Sequence, residues 1–444
     1  MKEPNRDVEH YLDEICSQVK AREVHKDLRD ELGNHMEEMM LDREQEGFSR
    51  SEAAEYAIEQ MGNPEVVGKR LHRLHRLHRE RIHWGLLTGL LTMALISLLT
   101  MWIYTTNVLQ EPYQFLYSDH IVRTIKCLLV LGFFIWFDYR KWRKLAWPIY
   151  ILLNLMMFIS AIYPLMEGQN RYFNVLGFAF DLSSAALWIL PLAIGAIMLD
   201  KLRSEITIRS LLTYIGLVLL PAVLFFQLVD WVRLVLFVVV MVILFAWFTK
   251  KWLYTTVTVI FIAIPTSILM FANDNFHRLE KIWIVFDLQN DPYGMGYYNR
   301  SIIDIVQSAG WWGNGLESTF TTFGIRYLDY PLVMLIDVFG WSAGVVFVLG
   351  IVWFIAHMIK MIPSIRDEFG RMMIVVITMI FGIQMFYSVV MTTGYVPIVS
   401  VIFPFLSHGS HLTFEYAVLG LVLGIYRRKD TISIRNEKIA GSQG

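Results

Sequence analysis

The sequence predicts an all-α fold: a polytopic membrane protein with about ten transmembrane helices, preceded by a small N-terminal cytosolic helical domain. Of the 444 residues, 55% are hydrophobic and only 18% are charged, and the mean hydropathy is +0.45, values that exclude an ordinary soluble globule. The charges are unevenly spread, because residues 1–82 hold 14 Lys/Arg and 19 Asp/Glu whereas residues 83–444 hold 25 and 21. A soluble acidic segment therefore precedes a long apolar one.

The N-terminal segment is predicted to form short helices that end in a basic stalk. Ser49 and Glu52 have the spacing of a capping box, and Gly62 follows as a stop signal. The stalk, residues 71–79, repeats Leu, His and Arg, a pattern typical of a helix whose basic side chains reach lipid headgroups. A metal-binding or pH-sensing role for its histidines is the alternative. Residues 31–71 resemble the helical prefix domain that precedes several bacterial permeases and membrane regulators.

Ten apolar runs follow, each close to the ~20 residues that an α-helix needs to cross a bilayer. Every second joint between them is basic, as at Arg140, Lys141, Arg143 and Lys144, whereas the shorter alternate joints carry at most one Lys or Arg. Basic joints face the cytoplasm, so the pattern predicts a multi-pass membrane protein with both termini cytoplasmic. The resemblance to the prefix domain of bacterial membrane proteins implies the bacterial cytoplasmic membrane. The predicted spans are 84–104, 121–137, 145–165, 182–199, 211–228, 232–248, 252–272, 332–358, 372–395 and 411–426.

One outer segment, residues 273–331, is much longer than the other joints between the predicted spans. It is long and rich in Gly, Asn, Asp and Trp, and a long loop in a compact chain is more often functional than filler. The predicted organisation is a cytosolic helical domain with its stalk over 1–82, a membrane domain over 83–430 that includes this extracellular segment, and a cytosolic tail over 431–444. Nothing in the chain has the pattern of a P-loop, a His/Cys metal cluster or a Ser-His-Asp site.

Three strings in and after this segment carry a family pattern: residues 291–316, 326–344 and 404–410. Together they resemble the SEDS family of shape, elongation, division and sporulation proteins, which includes RodA, FtsW and SpoVE, and the resemblance covers about residues 84–430. The positions that meet the family pattern are Asp291, Pro292, Gly294, Gly296, Tyr297, Gly310, Gly313, Gly315, Asp329, Tyr330, Asp337, Gly340, Pro397, Pro404, Phe405, Ser407, Gly409 and Ser410.

Several family positions differ. The family's Q-S pair is Ser301 and Ile302 here, and its T-G pair is Val399 and Ser400. The family has a Q-P-S-E motif with a lysine three residues after the glutamate, and this chain has neither the glutamate nor the lysine. Because both charges are lost together, neither is left unpaired in the membrane. That motif falls at Asp181, Leu182, Ser183, Ser184 and Leu187.

The resemblance implies a glycosyltransferase that polymerises undecaprenyl-linked lipid II into peptidoglycan strands at the outer membrane face. Such a reaction needs a base for the acceptor hydroxyl while the donor sugar passes through an oxocarbenium-like state, and cations for the leaving diphosphate. The resemblance assigns the base to Asp329. Because Asp329 directly precedes Tyr330 and Pro331, capping of the following helix is the alternative.

The resemblance also suggests substrate-binding residues. Arg123 and Lys126 share one helix face near the outer end of the second span and are candidates for the diphosphate, with snorkelling to headgroups as the alternative. Arg171 is similar to a basic residue of the family, although a solvated loop charge is equally compatible. Arg326 either keeps Asp329 ionised or forms a solvated ion pair. The motif residues Asp291, Gly294, Gly296 and Ser407 complete the predicted substrate-binding set.

Three further titratable residues are interpreted as structural. Asp337 lies about two turns inside a predicted span, where an unpaired charge is costly, so a buried hydrogen-bonded acid is favoured over a second catalytic group. His408 and His411 replace family residues that are polar but do not titrate. None of the three is assigned to the chemistry.

The predicted partners are lipid II, membrane lipids and a class B penicillin-binding protein transpeptidase, with no nucleic acid. No cofactor is required by the motifs, although the resemblance leaves open a divalent cation such as Mg²⁺ or Mn²⁺. The altered family positions favour an alternative, a non-catalytic lipid-precursor binder, flippase or regulator of cell-wall synthesis. Retention of Asp329 and of the glycine-rich outer loop favours the enzyme. Elongation, division and sporulation remain equally open as the process served.

Overall fold

The computed structural model is helical over most of the chain that it describes and contains one small β-hairpin. Contacts divide the chain into two compact units. One comprises Met1–Ile82, Ser364–Glu368 and Ile425–Gly444, and the other comprises His83–Pro363 and Phe369–Gly424. The described residues are 6–19, 25–74, 83–107, 115–162, 172–175, 178–203, 207–228, 230–251, 253–261, 264, 296–316, 330–399 and 401–429.

Four amphipathic helices make up the N-terminal part: α1 (Arg6–Gln18), α2 (His25–Gln45), α3 (Arg50–Met61) and α4 (Pro64–Leu74). Each buries an apolar stripe in a shared core, because side chains three or four positions apart lie on the same helix face. Helix α4 begins with a proline, whose missing N–H costs nothing at a helix start. The core side chains include Leu12, Ile15, Met36, Met40, Ala53, Ala54 and Ala57.

Helix α3 begins at the predicted capping box. The Ser49 hydroxyl accepts a hydrogen bond from the backbone N–H of Glu52, 3.4 Å away, and the Glu52 carboxylate accepts one from the Ser49 N–H at 2.8 Å. The Ser49 hydroxyl also donates to that carboxylate. These hydrogen bonds, the side-chain one first, lower the pKa of Glu52 below its ordinary value because they stabilise the ionised form.

Replacing Ser49 with alanine should destabilise α3 by about 1 kcal/mol, because it removes an N-cap acceptor and one partner of Glu52. Hydrogen–deuterium exchange of the full-length protein would show the α3 amides exchanging about fivefold faster. Ser51→Ala, a change at an exposed position in the first turn of the same helix, is the control and should not accelerate exchange. Equal exchange in the two variants would contradict the capping role.

The membrane part contains mainly long apolar helices. In chain order they are α5 (Trp84–Asn107), α6 (Phe115–Trp136), α7 (Arg140–Ile162), α8 (Leu182–Arg203), α9 (Ile208–Gln227), α10 (Trp231–Thr249), α11 (Tyr297–Ser308), α12 (Pro331–Met361), α13 (Glu368–Met391) and α14 (Leu412–Arg427). Residues 253–261 are also helical. A short 3₁₀ turn, Ile362–Ser364, ends α12.

Seven of the described helices are long and apolar enough to cross a membrane: α5, α7, α8, α9, α10, α12 and α13. This confirms the predicted all-α polytopic membrane fold. Helices α6 and α14 coincide with two further predicted spans. Helix α6 carries several charges near its start, and α14 has only 16 residues. The remaining predicted span is described only over 253–261 and at residue 264, so the total of ten stays a prediction.

A two-stranded antiparallel hairpin precedes α8, with β1 (Tyr172–Val175) paired to β2 (Phe178–Asp181). The sequence prediction contained no strand. The segment is rich in aromatic and β-branched residues, which favour strands, but two four-residue strands are too short for a periodic pattern to stand out. The hairpin brings Asp181 to the start of α8, the most enclosed of the seven apolar helices.

Candidate functional site

The glycine-rich part of the outer segment, residues 310–315, inserts into a break in α12. Helix α12 loses helical geometry at Gly340, which has φ 82° and ψ 179°. The backbone N–H groups of Asn314 and Gly315 donate to the carbonyls of Asp337 and Val338 at 2.7 and 3.2 Å, and the Trp341 N–H donates to the Gly310 carbonyl at 2.9 Å. The loop therefore satisfies backbone groups that the interrupted helix cannot pair internally.

Asp337 is part of this junction. Its side chain is buried, and its carboxylate accepts a hydrogen bond from the Asn314 side-chain amide at 2.8 Å. Asp337 is therefore buried and hydrogen-bonded, as predicted, and its structural role stays an interpretation. The acid also explains why the outer loop is held at one place on α12, since its backbone carbonyl pairs with the same asparagine.

A polar cluster lies where α5, α6 and the loop before α14 meet. We call Ser97, Asp119, His120, Arg123 and His408 the histidine cluster. The Nδ1 atoms of His120 and His408 are 3.0 Å apart, and His120 Nε2 is 2.9 Å from the Ser97 hydroxyl. Asp119 forms an ion pair with Arg123 at 2.8 Å and lies 3.8 Å from His408 Nε2.

The hydrogen bonds of this cluster run in one direction. The Ser97 hydroxyl donates its only proton to the Leu406 carbonyl, which can only accept. His120 Nε2 must therefore donate to Ser97, and the Nδ1 of a neutral His120 accepts from His408 Nδ1. His408 Nε2 is left as an acceptor 3.8 Å from the Asp119 carboxylate. Burial, and then the neighbouring Arg123, lower the pKa of His408 to about 4, so its imidazole is neutral at physiological pH.

The predicted cations of the second span are both present on α6. Arg123 is three-quarters buried and its Nε atom is buried without a hydrogen-bond partner among the described residues, so the guanidinium retains a donor that Asp119 does not use. Lys126 is half-buried one turn further along. The sequence interpretation missed Asp119, although its i, i+4 spacing from Arg123 was a signal for an ion pair.

Two other predicted residues have backbone roles in the structure. The Ser407 side chain is buried, and its hydroxyl accepts from the Phe403 N–H at 3.2 Å, so it stabilises the loop before α14. Gly296 is the residue before α11, and its carbonyl accepts from the Arg300 N–H. Their substrate-binding roles stay predictions.

The remaining predicted site residues, Arg171, Asp291, Gly294, Arg326 and Asp329, lie outside the described residues. The residue two positions after Asp329 is described. Pro331 lines a small cavity of about 10 Å³ together with His120, His408 and Met334. This volume is near the smallest that can hold a water molecule. The described start of α12 thus packs directly against the histidine cluster.

Helix α12 has Tyr330 at its N-cap position, and the tyrosine side chain makes no capping hydrogen bond. Asp329 is one position earlier in the sequence. An N-cap side chain is the one that reaches the free N–H groups of the first turn, and Pro331 has no N–H to offer. Asp329 itself lies outside the described residues, so both its catalytic role and the capping alternative stay predictions.

A buried ion cluster lies at the start of the altered family motif. Arg233 contacts Asp181 at 2.7 Å and Asp230 at 2.5 Å, and all three side chains are largely buried. Asp181 also accepts from the N–H groups of Ser183 and Ser184 at the start of α8. The cluster therefore ties the starts of α8 and α10 together, a tertiary pairing that local sequence reasoning missed.

A bound divalent cation would need several carboxylate or imidazole ligands that converge on one point. Within the described ranges, no group of three or more His, Cys, Asp and Glu side chains is arranged to hold a metal ion. Asp291 and Asp329 are outside those ranges. The cation therefore stays a prediction.

The sequence matches one protein family and is similar to several known proteins. The family model described as cell cycle protein, FtsW/RodA/SpoVE, matches residues 80–431. A probable peptidoglycan glycosyltransferase FtsW of a Geobacter species is 25% identical over 301 residues, which is 66% of this chain and 81% of that protein. The peptidoglycan glycosyltransferase MrdB of Escherichia coli is 24% identical over 189 residues, which is 41% of this chain and 51% of that protein.

Two solved structures have a similar fold. One, described as structural coordination of polymerization and crosslinking by a peptidoglycan synthase complex, matches with a TM-score of 0.65 at 18% identity and covers 79% of this chain and 99% of that chain. The rod shape determining protein RodA of Thermus thermophilus matches with a TM-score of 0.57 at 15% identity and covers 79% and 98%. At these identities the likeness shows the fold.

Proposed function

Because the chain belongs to the FtsW/RodA/SpoVE family of cell cycle proteins, we propose that it is a peptidoglycan glycosyltransferase that polymerises lipid II at the outer face of the cytoplasmic membrane. The observation that carries the proposal is the packing of the start of α12 against the histidine cluster. Asp329 is two residues from Pro331 in the sequence, and the proposal puts this candidate base in the same region as the cation Arg123. Two relatives are named as peptidoglycan glycosyltransferases.

Glycan polymerisation requires a base for the acceptor hydroxyl and cations for the leaving diphosphate. A hydroxyl oxygen of the acceptor sugar bonds to the anomeric carbon of the donor, while the bond from that carbon to the diphosphate oxygen breaks. Asp329 takes the hydroxyl proton, and the diphosphate leaves with its negative charge. Arg123 and Lys126 stabilise that charge, which matters most where water is excluded. Arg171, Arg326, Asp291, Gly294, Gly296 and Ser407 are proposed to shape the same site.

The proposal includes an orientation and a partner. Both termini lie in the cytoplasm, with a helical domain over 1–82 and a tail over 431–444 on that side and the segment 273–331 outside. A class B penicillin-binding protein is proposed to activate the enzyme. The similarity to a chain described in a peptidoglycan synthase complex supports that assignment.

The direct test supplies lipid II to the purified full-length protein in liposomes, with and without a class B penicillin-binding protein from the same organism. Polymerisation gives a ladder of glycan strands on a gel. The expected result is a ladder that requires this protein and becomes stronger with the partner. If the native protein makes no ladder with any such partner, the proposed activity is refuted.

Arg123→Gln should lower the polymerisation rate by about 10- to 100-fold, because hydrogen bonds to a charged group are worth about 1.5–3 kcal/mol. The measurement is the initial rate of glycan formation at saturating partner. Arg209→Gln removes an exposed arginine from the predicted cytoplasmic end of α9 and is the matched control. Equal rates for the two variants would show that Arg123 serves only to anchor α6.

A second candidate function is favoured by the ion cluster. The acid–base pair of the family motif is absent, and Asp181 at the start of that motif pairs with Arg233 on α10. In this second function the chain binds or moves the lipid precursor without joining sugars. In that case the native protein would bind lipid II in a filter or spectroscopic assay and form no glycan under any condition. Ladder formation would exclude this alternative.

A further inference from the structure

The hydrogen bonds of the histidine cluster leave one ring nitrogen free. Both ring nitrogens of His120 are bonded, one to Ser97 and the other to His408, and His120 is only 1% exposed. His408 uses its Nδ1 atom for His120, and its Nε2 atom has no hydrogen bond to any residue that the structure describes. The side chain of His408 is 16% exposed. Its Nε2 lone pair is therefore available to a proton from outside the cluster.

The hydrogen bonds behind His408 orient its ring but cannot carry a proton away. They run from His408 through His120 to Ser97 and end at the Leu406 carbonyl, which is not basic enough to hold a proton. A proton that reaches His408 Nε2 must therefore leave from the same side of the ring. An imidazole with one nitrogen held by a partner and the other nitrogen free is the arrangement of the general base in catalytic triads.

The charges beside His408 Nε2 allow it to hold a proton only transiently. The Asp119 carboxylate, 3.8 Å away, stabilises the protonated ring, and Arg123, which is paired with Asp119, destabilises it. Burial lowers the pKa of His408 to about 4, close to the value of about 3.9 for an ordinary aspartic acid. Transfer of a proton between an aspartic acid and His408 is then nearly balanced in free energy, as proton transfer in catalysis requires.

Asp119 connects His408 to the solution. The exposed fraction of the side chain rises from 16% for His408 to 47% for Asp119. Asp119 lies near the start of α6, the end of this helix that is predicted to face outward. A half-exposed carboxylate exchanges protons with water, so Asp119 can receive a proton from His408 Nε2 and release it.

We propose that His408 Nε2 receives the proton released in glycan formation and that Asp119 passes it to the outer solution. This relay rests on the proposed function, in which the acceptor hydroxyl loses its proton to Asp329 as the new C–O bond forms. The proton then moves to the His408 lone pair, which regenerates the Asp329 carboxylate, and leaves through Asp119 to water. The supporting contact is the cavity that His408 lines together with Pro331. His408 thereby gains a role in proton transfer, where the sequence interpretation made it structural.

The first test removes the free nitrogen and keeps the structural hydrogen bond. In His408→Asn the amide nitrogen takes the place of Nδ1 and can still donate to His120, but no basic nitrogen remains. His357→Asn on α12 is the matched control, because His357 Nδ1 makes a comparable hydrogen bond to the Trp353 carbonyl at 2.8 Å. The full-length proteins, in liposomes with the activating partner, are compared for kcat and KM of glycan formation from lipid II.

His408→Asn should lower kcat about 100-fold, the lower end of a typical acid–base contribution, and should leave KM and the melting temperature unchanged. His357→Asn should match the native protein in all three quantities. A native kcat in His408→Asn overturns the relay. A higher KM together with a lower melting temperature would show that His408 only holds the loop, and that result also overturns the relay.

Chemical rescue separates proton transfer from packing. His408→Ala leaves a space where the imidazole ring was, and free imidazole added to the assay should raise the rate of this variant at least tenfold. The same imidazole should not accelerate the native protein or His357→Ala. Because a ring that serves only for packing would not restore kcat as a soluble base, an absence of rescue overturns the relay.

A third variant keeps the test valid if the His408 variants do not fold. Ser97→Ala removes the acceptor of His120 Nε2, so His120 no longer fixes the orientation of His408, and kcat should fall about tenfold, roughly the worth of one hydrogen bond. Ser118→Ala is the control, because the Ser118 hydroxyl bonds to the Phe115 carbonyl of its own helix. Equal kcat values for these two variants overturn the relay.

Failure of the relay and failure of the proposed function give different results. If the native protein forms no glycan with any partner, the proposed function is refuted and the relay with it. If the native protein forms glycan and the His408 variants form it at the native rate, the relay alone is refuted.

Discussion

Asp329→Asn is expected to lower glycan polymerisation by about 10²- to 10⁴-fold, the usual contribution of a general base. An amide has no proton-accepting oxygen of comparable basicity, so the acceptor hydroxyl would keep its proton as the new bond forms. The rate of ladder formation from lipid II, measured with the same activating partner and in the same liposomes, is the readout.

The choice of asparagine separates catalysis from helix capping. Asparagine caps helices about as well as aspartate, so a capping role predicts an unchanged melting temperature and unchanged activity. Asp337→Asn is the matched control, because it keeps an oxygen that can accept from the Asn314 amide in the loop junction. We expect Asp337→Asn to polymerise close to the native rate.

Each possible result assigns a different role. Full activity in Asp329→Asn would show that another residue is the general base. Loss of activity with a lowered melting temperature would show a structural role for the carboxylate. If neither the native protein nor the variant forms glycan while both bind lipid II equally, the chain is a lipid-precursor binder or flippase.

Features determined by neighbours in the chain were predictable from the sequence. The capping box of Ser49 and Glu52 depends on residues three apart, and the apolar spans depend on windows of about twenty residues. Asp337 was recognised as structural because its depth in a span follows from counting residues, and a charge at that depth needs a partner. The fold class followed from the same local reasoning.

Contacts between distant segments were not predictable. His120 and His408 are 288 positions apart, and Arg233 pairs with an aspartate 52 positions earlier. Neither pairing has a local signature, because which helices become neighbours is decided by packing of the whole bundle. The hairpin was missed for a related reason, since strands of four residues are stabilised by their context. The candidate site was thus predicted as a set of residue types, and its geometry came from the fold.

Gly340→Ala is expected to destabilise the protein by at least about 4 kcal/mol, an effect that single substitutions reach only through severe disruption. At φ 82° and ψ 179°, Gly340 occupies a region that essentially only glycine adopts, which by itself costs another residue about 1–3 kcal/mol. An added Cβ would also lie 2.3 Å from the Trp311 carbonyl oxygen and 2.5 Å from the Gly313 nitrogen. Both atoms are backbone and cannot rotate away.

A graded series tests whether strain or collision dominates. Gly310 has φ 58° and open space where the methyl group of an alanine would lie, so Gly310→Ala should cost only about 1–2 kcal/mol. Gly382 lies in the regular helix α13, also with open space, and Gly382→Ala should be neutral or stabilise by about 0.5–1 kcal/mol. Thermal unfolding in detergent should rank the variants Gly382→Ala, Gly310→Ala and Gly340→Ala in decreasing stability. If Gly340→Ala unfolds at the same temperature as Gly382→Ala, the outer loop is not inserted into α12 in solution.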